Sequence, residues 1–147
     1  MGNRLMAPAD FEPDSGGTGP NLLQLTAATF LVPGAVCVAQ GRLVGVCVHC
    51  SNAVCSTYVH RPDRTAANDV VDVLDHVLVF VWVCYNVFVL ASAPPRPGAV
   101  GAAVGCALVV AATKVRTRYL PYRSLSRYRV HAAMHLFGTL GSTLLLI

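Results

Sequence analysis

Ser56 and His60 lie four residues apart, and so do His131 and His135. On a helix that spacing puts both members of each pair on one face. Asp72, Asp75 and His76 form a third cluster. All three groups sit in or beside apolar stretches, where an ionisable side chain costs roughly 2.5–3.5 kcal/mol on insertion scales. Such residues call for a role. Two imidazoles at i and i+4 converge on one point, and a third from a neighbouring helix completes three ligands. Three histidines with an open position are the pattern of a catalytic zinc site. Such a metal lowers the pKa of a coordinated water and polarises a carbonyl. His60, His131 and His135 are therefore the candidate Zn2+ ligands. Asp75 is the candidate base for the water's proton, and Ser56 the candidate hydrogen-bonding group for the water or the oxyanion.

Other residues of the same types have plainer readings. His49 and His76, taken singly, read as solvated interfacial histidines. Asp72 reads as a partner for Arg61 or Arg64. Cys47 and Cys50 flank His49 with the spacing of half a zinc motif, but the other half is absent. Cys37, Cys47, Cys50, Cys55, Cys84 and Cys106 all fall inside apolar segments. They read as small packed thiols rather than as a disulfide framework.

The elements that must carry these residues follow from the charge distribution. Of 147 residues, 54% are hydrophobic and 12% charged, and the mean hydropathy is +0.56. Arg42 is the one formal charge between Leu22 and His60, Arg96 the one between Val77 and Thr113, and Val130 to Ile147 has none. Helices or strands without a polar face do not make an ordinary soluble enzyme, a disordered chain or a nucleic-acid module. They make an integral membrane protein. A span needs about 20 apolar residues, with ~17 as a practical minimum. Five stretches qualify: 22–39, 43–60, 70–91, 98–113 and 130–147. Backbone in lipid must satisfy its own hydrogen bonds, so all five are predicted as helices of an all-α, five-span bundle.

Pro33-Gly34 predicts a kink in the first span. Gln40-Gly41-Arg42 predicts a tight turn. The Pro-rich stretch from Ala93 to Gly98 breaks the chain before the fourth span. Residues 1–21 are polar and rich in Gly and Pro, and read as a disordered cytosolic tail. They lack the basic and short apolar regions of a cleaved signal peptide. Gly101-x-x-x-Gly105 is a spacing that lets two helices approach closely, and suggests a homo-oligomer contact.

Net charge is +4, and its placement is more informative than its size. Lys114, Arg116, Arg118, Arg123, Arg127 and Arg129 crowd residues 114–129, with no acid among them. Beside membrane spans this predicts a cytosolic loop, flanked by Tyr119, Tyr122 and Tyr128 as an aromatic belt and suited to anionic lipid heads. The connection 61–69 and the N-terminus then lie on the same side. So do the end of the second span and the starts of the third and fifth, which carry the His and Asp clusters.

Ser56-Thr57-Tyr58-Val59-His60, Leu74-Asp75-His76 and His131-Ala132-Ala133-Met134-His135, in that order, resemble the CREST superfamily. That group includes alkaline ceramidases, PAQR-type receptors, hemolysin III-like proteins and myomaker-type proteins. Its signature is Ser-x-x-x-His late in the second core helix, Asp early in the third, and His-x-x-x-His early in the last. His135-Leu136-Phe137 through Leu140-Gly141-Ser142 also resembles a hemolysin III ending. The resemblance implies zinc on His60, His131 and His135, with Asp75 and Ser56 serving the water, and hydrolysis of a lipid amide such as ceramide. The non-catalytic alternative is a receptor-like or membrane-remodelling relative with a structural zinc. The family core has seven helices, whereas this chain has room for five. Two helices fewer between Asp75 and His131 preserve the sidedness of the site but remove part of the wall around a lipid cavity. Met134 stands where many relatives place Trp.

Overall fold

The computed structural model describes residues 18–60, 69–92, 97–120 and 124–147, with only the backbone of Asp69 and Asp72. Most of the expected tail, the 61–68 connection with Arg61 and Arg64, and Arg96, Tyr122 and Arg123 lie outside the described residues. Among the described residues the elements are helices: α1 (Thr18–Ala28), α2 (Leu31–Ala39), α3 (Leu43–Val59), α4 (Asp69–Ser92), α5 (Pro97–Thr117) and α6 (Leu125–Leu146).

The first expected span is two helices, α1 and α2, and the break falls one turn before Pro33. Proline has no N–H and its ring crowds the carbonyl four residues back, which is that of Thr29. Helical bonding gives way there to tighter bonds, Thr29 N–H to Thr26 O and Phe30 N–H to Ala27 O, both 3.2 Å. The turn after α2 closes through Gly41, whose φ of 67° is left-handed. Gly41 N–H donates to Val38 O, and Arg42 N–H to Cys37 O. These two bonds satisfy the last α2 carbonyls in a Schellman arrangement, which needs the freedom of glycine.

α6 starts before residue 130. Ser124 sits in extended conformation and its hydroxyl accepts from Arg127 N–H, capping a helix that begins at Leu125. A serine N-cap satisfies an otherwise orphaned amide. At the other end of the preceding connection, α5 runs on to Thr117, so much of the basic segment is helical. Pro97 opens α5 at a first-turn position where no N–H is required.

α6 is the helix on which the others converge. α1, α2, α4 and α5 all pack on it, while α3 packs mainly on α1, α2 and α4. A constant register ties α1 to α6: Gly19 lies against Tyr128, Thr26 meets His135, and Thr29 meets Thr139. The two helices therefore run parallel. Asn52 donates to Leu78 O, and His49 lies edge-on to Tyr85, so α3 and α4 run antiparallel. Glycines allow the closest approaches. A Cβ at Gly138 would stand 3.3 Å from the Trp82 ring, and one at Gly141 would stand 3.0 Å from the Cys106 Cβ. By contrast, nothing lies within 4 Å of a Cβ built at Gly101 or Gly105. α5 meets α6 without them.

Among the described residues, three helical stretches are long and apolar enough to cross a membrane: Thr18–Ala39, Val73–Ser92 and Pro97–Thr117. Only 11% of the apolar windows in the last two are buried. Their outer faces are thus apolar surfaces of a kind that lipid solvates and water does not. Leu43–Val59 is a shorter apolar helix. α6 does not reach the same hydropathy, because its first turns carry Arg127, Arg129 and His131 as well as the buried His135. Farther along, its hydroxyls point inward, where neighbours satisfy them: Trp82 Nε1 donates to Ser142 Oγ at 2.9 Å, and Thr29 and Thr139 hydroxyls meet at 3.0 Å.

Candidate metal centre

His60 is the C-cap of α3, its backbone N–H bonded to Ser56 O. His131 and His135 occupy the second and third turns of α6. The three rings pack against one another, with centroids 4.9 Å apart for His60–His131, 5.4 Å for His60–His135 and 4.8 Å for His131–His135. One ring nitrogen from each lies within 4.8 Å of the other two. The centre of an equilateral triangle of that side is about 2.8 Å from each corner, against about 2.0–2.1 Å for a Zn–N bond. Each nitrogen would move inward by less than ~1 Å to ligate a common ion. His135 is 5% exposed and the other two residues are half-buried. A donor set of three imidazoles, with no charge of its own, fits Zn2+.

The remaining candidates differ. Ser56 is buried at 5% exposure, one turn before His60. The antiparallel register of α3 and α4 brings the second turn of α4, with Asp75, level with Ser56. Asp75 is half-buried, and its carboxylate does not join the three-histidine group. His76 is exposed, and the Asp72 side chain lies outside the described residues. The charges of Lys114 and Arg127 reach His131, and that of Lys114 reaches His135, so the rim of the cluster is cationic.

His49 is not the solvated residue its isolated reading suggests. It is 0% exposed, between α2 and Tyr85, and neither ring nitrogen has a hydrogen-bond partner. Its place in α3 puts it three turns from His60, on the stripe with Asn52 and Ser56 that packs inward. All six cysteines are free thiols. Cys47 is exposed and Cys50 half-buried, and neither joins a metal-binding group among the described residues.

Sequence reasoning overlooked the residues that surround His135. Thr26 Oγ1 lies 3.2 Å from His135 Nδ1. The Phe30 ring stands 5.9 Å from the His135 ring and 5.8 Å from Trp82, edge-on to the latter. A signal was present: Leu23, Thr26, Ala27 and Phe30 recur at helical spacing, and Thr26 is the hydroxyl on that stripe. No family model, no curated protein and no solved structure matches this chain.

Proposed function

We propose that this chain is a five-span membrane protein of CREST type that binds Zn2+ through His60, His131 and His135 and hydrolyses a lipid amide of the ceramide kind. The observation that carries the reading is the convergence of three imidazoles from two helices within 4.8 Å. When bound, zinc would supply a Lewis acid for the amide carbonyl and an acidified water. The chain's own residues do the rest. Asp75 accepts a proton from the attacking water and returns it to the leaving amine. The Ser56 hydroxyl orients the developing oxyanion. The apolar faces of α4 and α5 meet the acyl chains of membrane lipid, and the cationic rim from Lys114 and Arg127 meets the headgroup layer. On the positive-inside rule the basic segment, the N-terminus and the metal centre face the cytosol. Gly101 and Gly105, unused within the chain, offer a contact to a second copy that would restore part of the cavity wall.

The half-buried Asp75 outside the histidine group favours a second reading. In it the same zinc is structural, and the protein is a receptor-like or membrane-remodelling relative. Two measurements separate these possibilities. Wild-type protein purified in detergent carries about one zinc, and a His131→Ala/His135→Ala variant carries none; equal and negligible zinc in both ends the metal reading. Fluorogenic ceramide is turned over by wild type, and Asp75→Asn lowers the rate by roughly 10²–10⁴-fold if it acts as base. Zinc without turnover supports the structural reading, and turnover unchanged in Asp75→Asn refutes the assigned base.

A further inference from the structure

We infer that α1, which carries none of the ligands, fixes the tautomer and direction of His135, with Thr26 as a positioning residue. The inference rests on the zinc reading for its purpose, though not for its geometry. Thr26 Oγ1 is within reach of three groups: Leu22 O at 3.0 Å, Leu23 O at 3.2 Å and His135 Nδ1 at 3.2 Å. A hydroxyl has a single proton, and both carbonyls can only accept. With that proton on a carbonyl, Thr26 presents lone pairs to His135, so Nδ1 must carry the ring proton. This acceptor on α1 leaves Nε2 with its lone pair.

This is what a ligating imidazole requires. Its second nitrogen donates to a fixed acceptor, which sets the ring's direction and raises the basicity of the first. The acceptor is rigid for reasons in the chain. α1 lies parallel to α6 with Gly19 against Tyr128 and Thr29 bonded to Thr139, one contact on either side of the Thr26–His135 pair. Thr26 is 4% exposed, so water does not compete for the bond. α1 therefore acts on the centre through His135.

The experiment uses full-length protein in detergent micelles. Long-range 1H–15N correlations of 15N-histidine-labelled, metal-free protein report each imidazole tautomer, with His135 identified by its loss in His135→Gln. The expected result is the Nδ1–H form; the Nε2–H form would overturn the inference. Titration with Co2+, followed by its tetrahedral visible bands and competed with Zn2+, reads affinity. Thr26→Val, which keeps the shape and removes the acceptor, should weaken binding about 10-fold or more. Thr26→Ser, which keeps the hydroxyl, should stay within about threefold of wild type, because the acceptor rather than the methyl sets the bond. Equal affinity in wild type and Thr26→Val would overturn the positioning role. So would equal weakening in both variants, which would mark a packing effect. Absence of Co2+ and Zn2+ binding by wild type would overturn the metal reading itself, and the tautomer measurement would still decide the geometry.

Discussion

Replacing His60 by alanine isolates the link between two helices that otherwise share little packing. α3 packs on α1, α2 and α4, and its imidazole at residue 60 reaches the pair on α6. A bound ion therefore clips the end of α3 to α6. Four-ligand structural zinc sites are worth about 10–16 kcal/mol, or roughly 2.5–4 kcal/mol per ligand. At about 1.4 kcal/mol per tenfold, losing His60 weakens affinity on the order of 100-fold. With free zinc at 100 times the wild-type Kd, linkage stabilises the wild type by about 2.7 kcal/mol. The variant at the same zinc gains only about 0.4 kcal/mol. Trp82 is the single tryptophan, and it is coupled to the site through Phe30. Its fluorescence during thermal unfolding in micelles therefore reads both proteins. Wild type should melt higher with zinc, and His60→Ala should barely move. An equal zinc-induced shift in the two, or none in wild type, would refute the reasoning.

Gly45→Ala puts a Cβ into the Tyr85 hydroxyl and 2.5 Å from Cys37 Sγ. Overpacking of this kind costs about 1–3 kcal/mol, so the unfolding midpoint should fall, and an unchanged midpoint would contradict the α3–α4 packing. Ser124→Ala removes the α6 N-cap and should cost about 1 kcal/mol, read as faster amide exchange at the Arg127 N–H that the hydroxyl now holds. Trp82→Phe leaves Ser142, 2% exposed, without its 2.9 Å indole donor. The loss should be about 0.6 kcal/mol and no more than about 1.7 in detergent unfolding, the mean and maximum found for interhelical hydrogen bonds in membranes.

Much of this arrangement was legible before any coordinates. The scarcity of charge between Leu22 and His60, and again from Val77 to Thr113, located the apolar helices because their whole surface had to be compatible with lipid. The i, i+4 pairs named the three histidines that the structure brings together. What the sequence concealed was local or relational. Pro33 was visible, but its effect lands on Thr29, four residues back, where the displaced hydrogen bond belongs. Ser124 was one serine among several until its extended backbone made it a cap. α6 looked like a fifth apolar span from residue 130, yet the helix begins at Leu125 and takes in Arg127 and Arg129, which lower its mean hydropathy. His49 looked solvated because a lone histidine usually is, and only the packing of α2 and α4 around it reveals its burial. Thr26 carried no motif at all. Its meaning depends on a helix more than a hundred positions away, and pattern within one segment cannot supply that register.

The turn between α1 and α2 that holds Phe30 has a consequence for transport. From α1 into α2, Thr26 reaches His135, Phe30 meets Trp82 one turn later, and Gly34 lies beside His49 one turn after that. The bundle thus holds imidazoles at two depths, the raw material of a proton wire. Between them stand two aromatic rings, Phe30 at 7% exposure and Trp82 with its one polar atom already committed to Ser142. A Grotthuss chain needs a continuous file of donors and acceptors, and on the side of α1 and α2 this layer interrupts it. A file of polar groups between the two depths would instead follow α3, whose inward stripe carries Ser56 and Asn52 between His60 and His49.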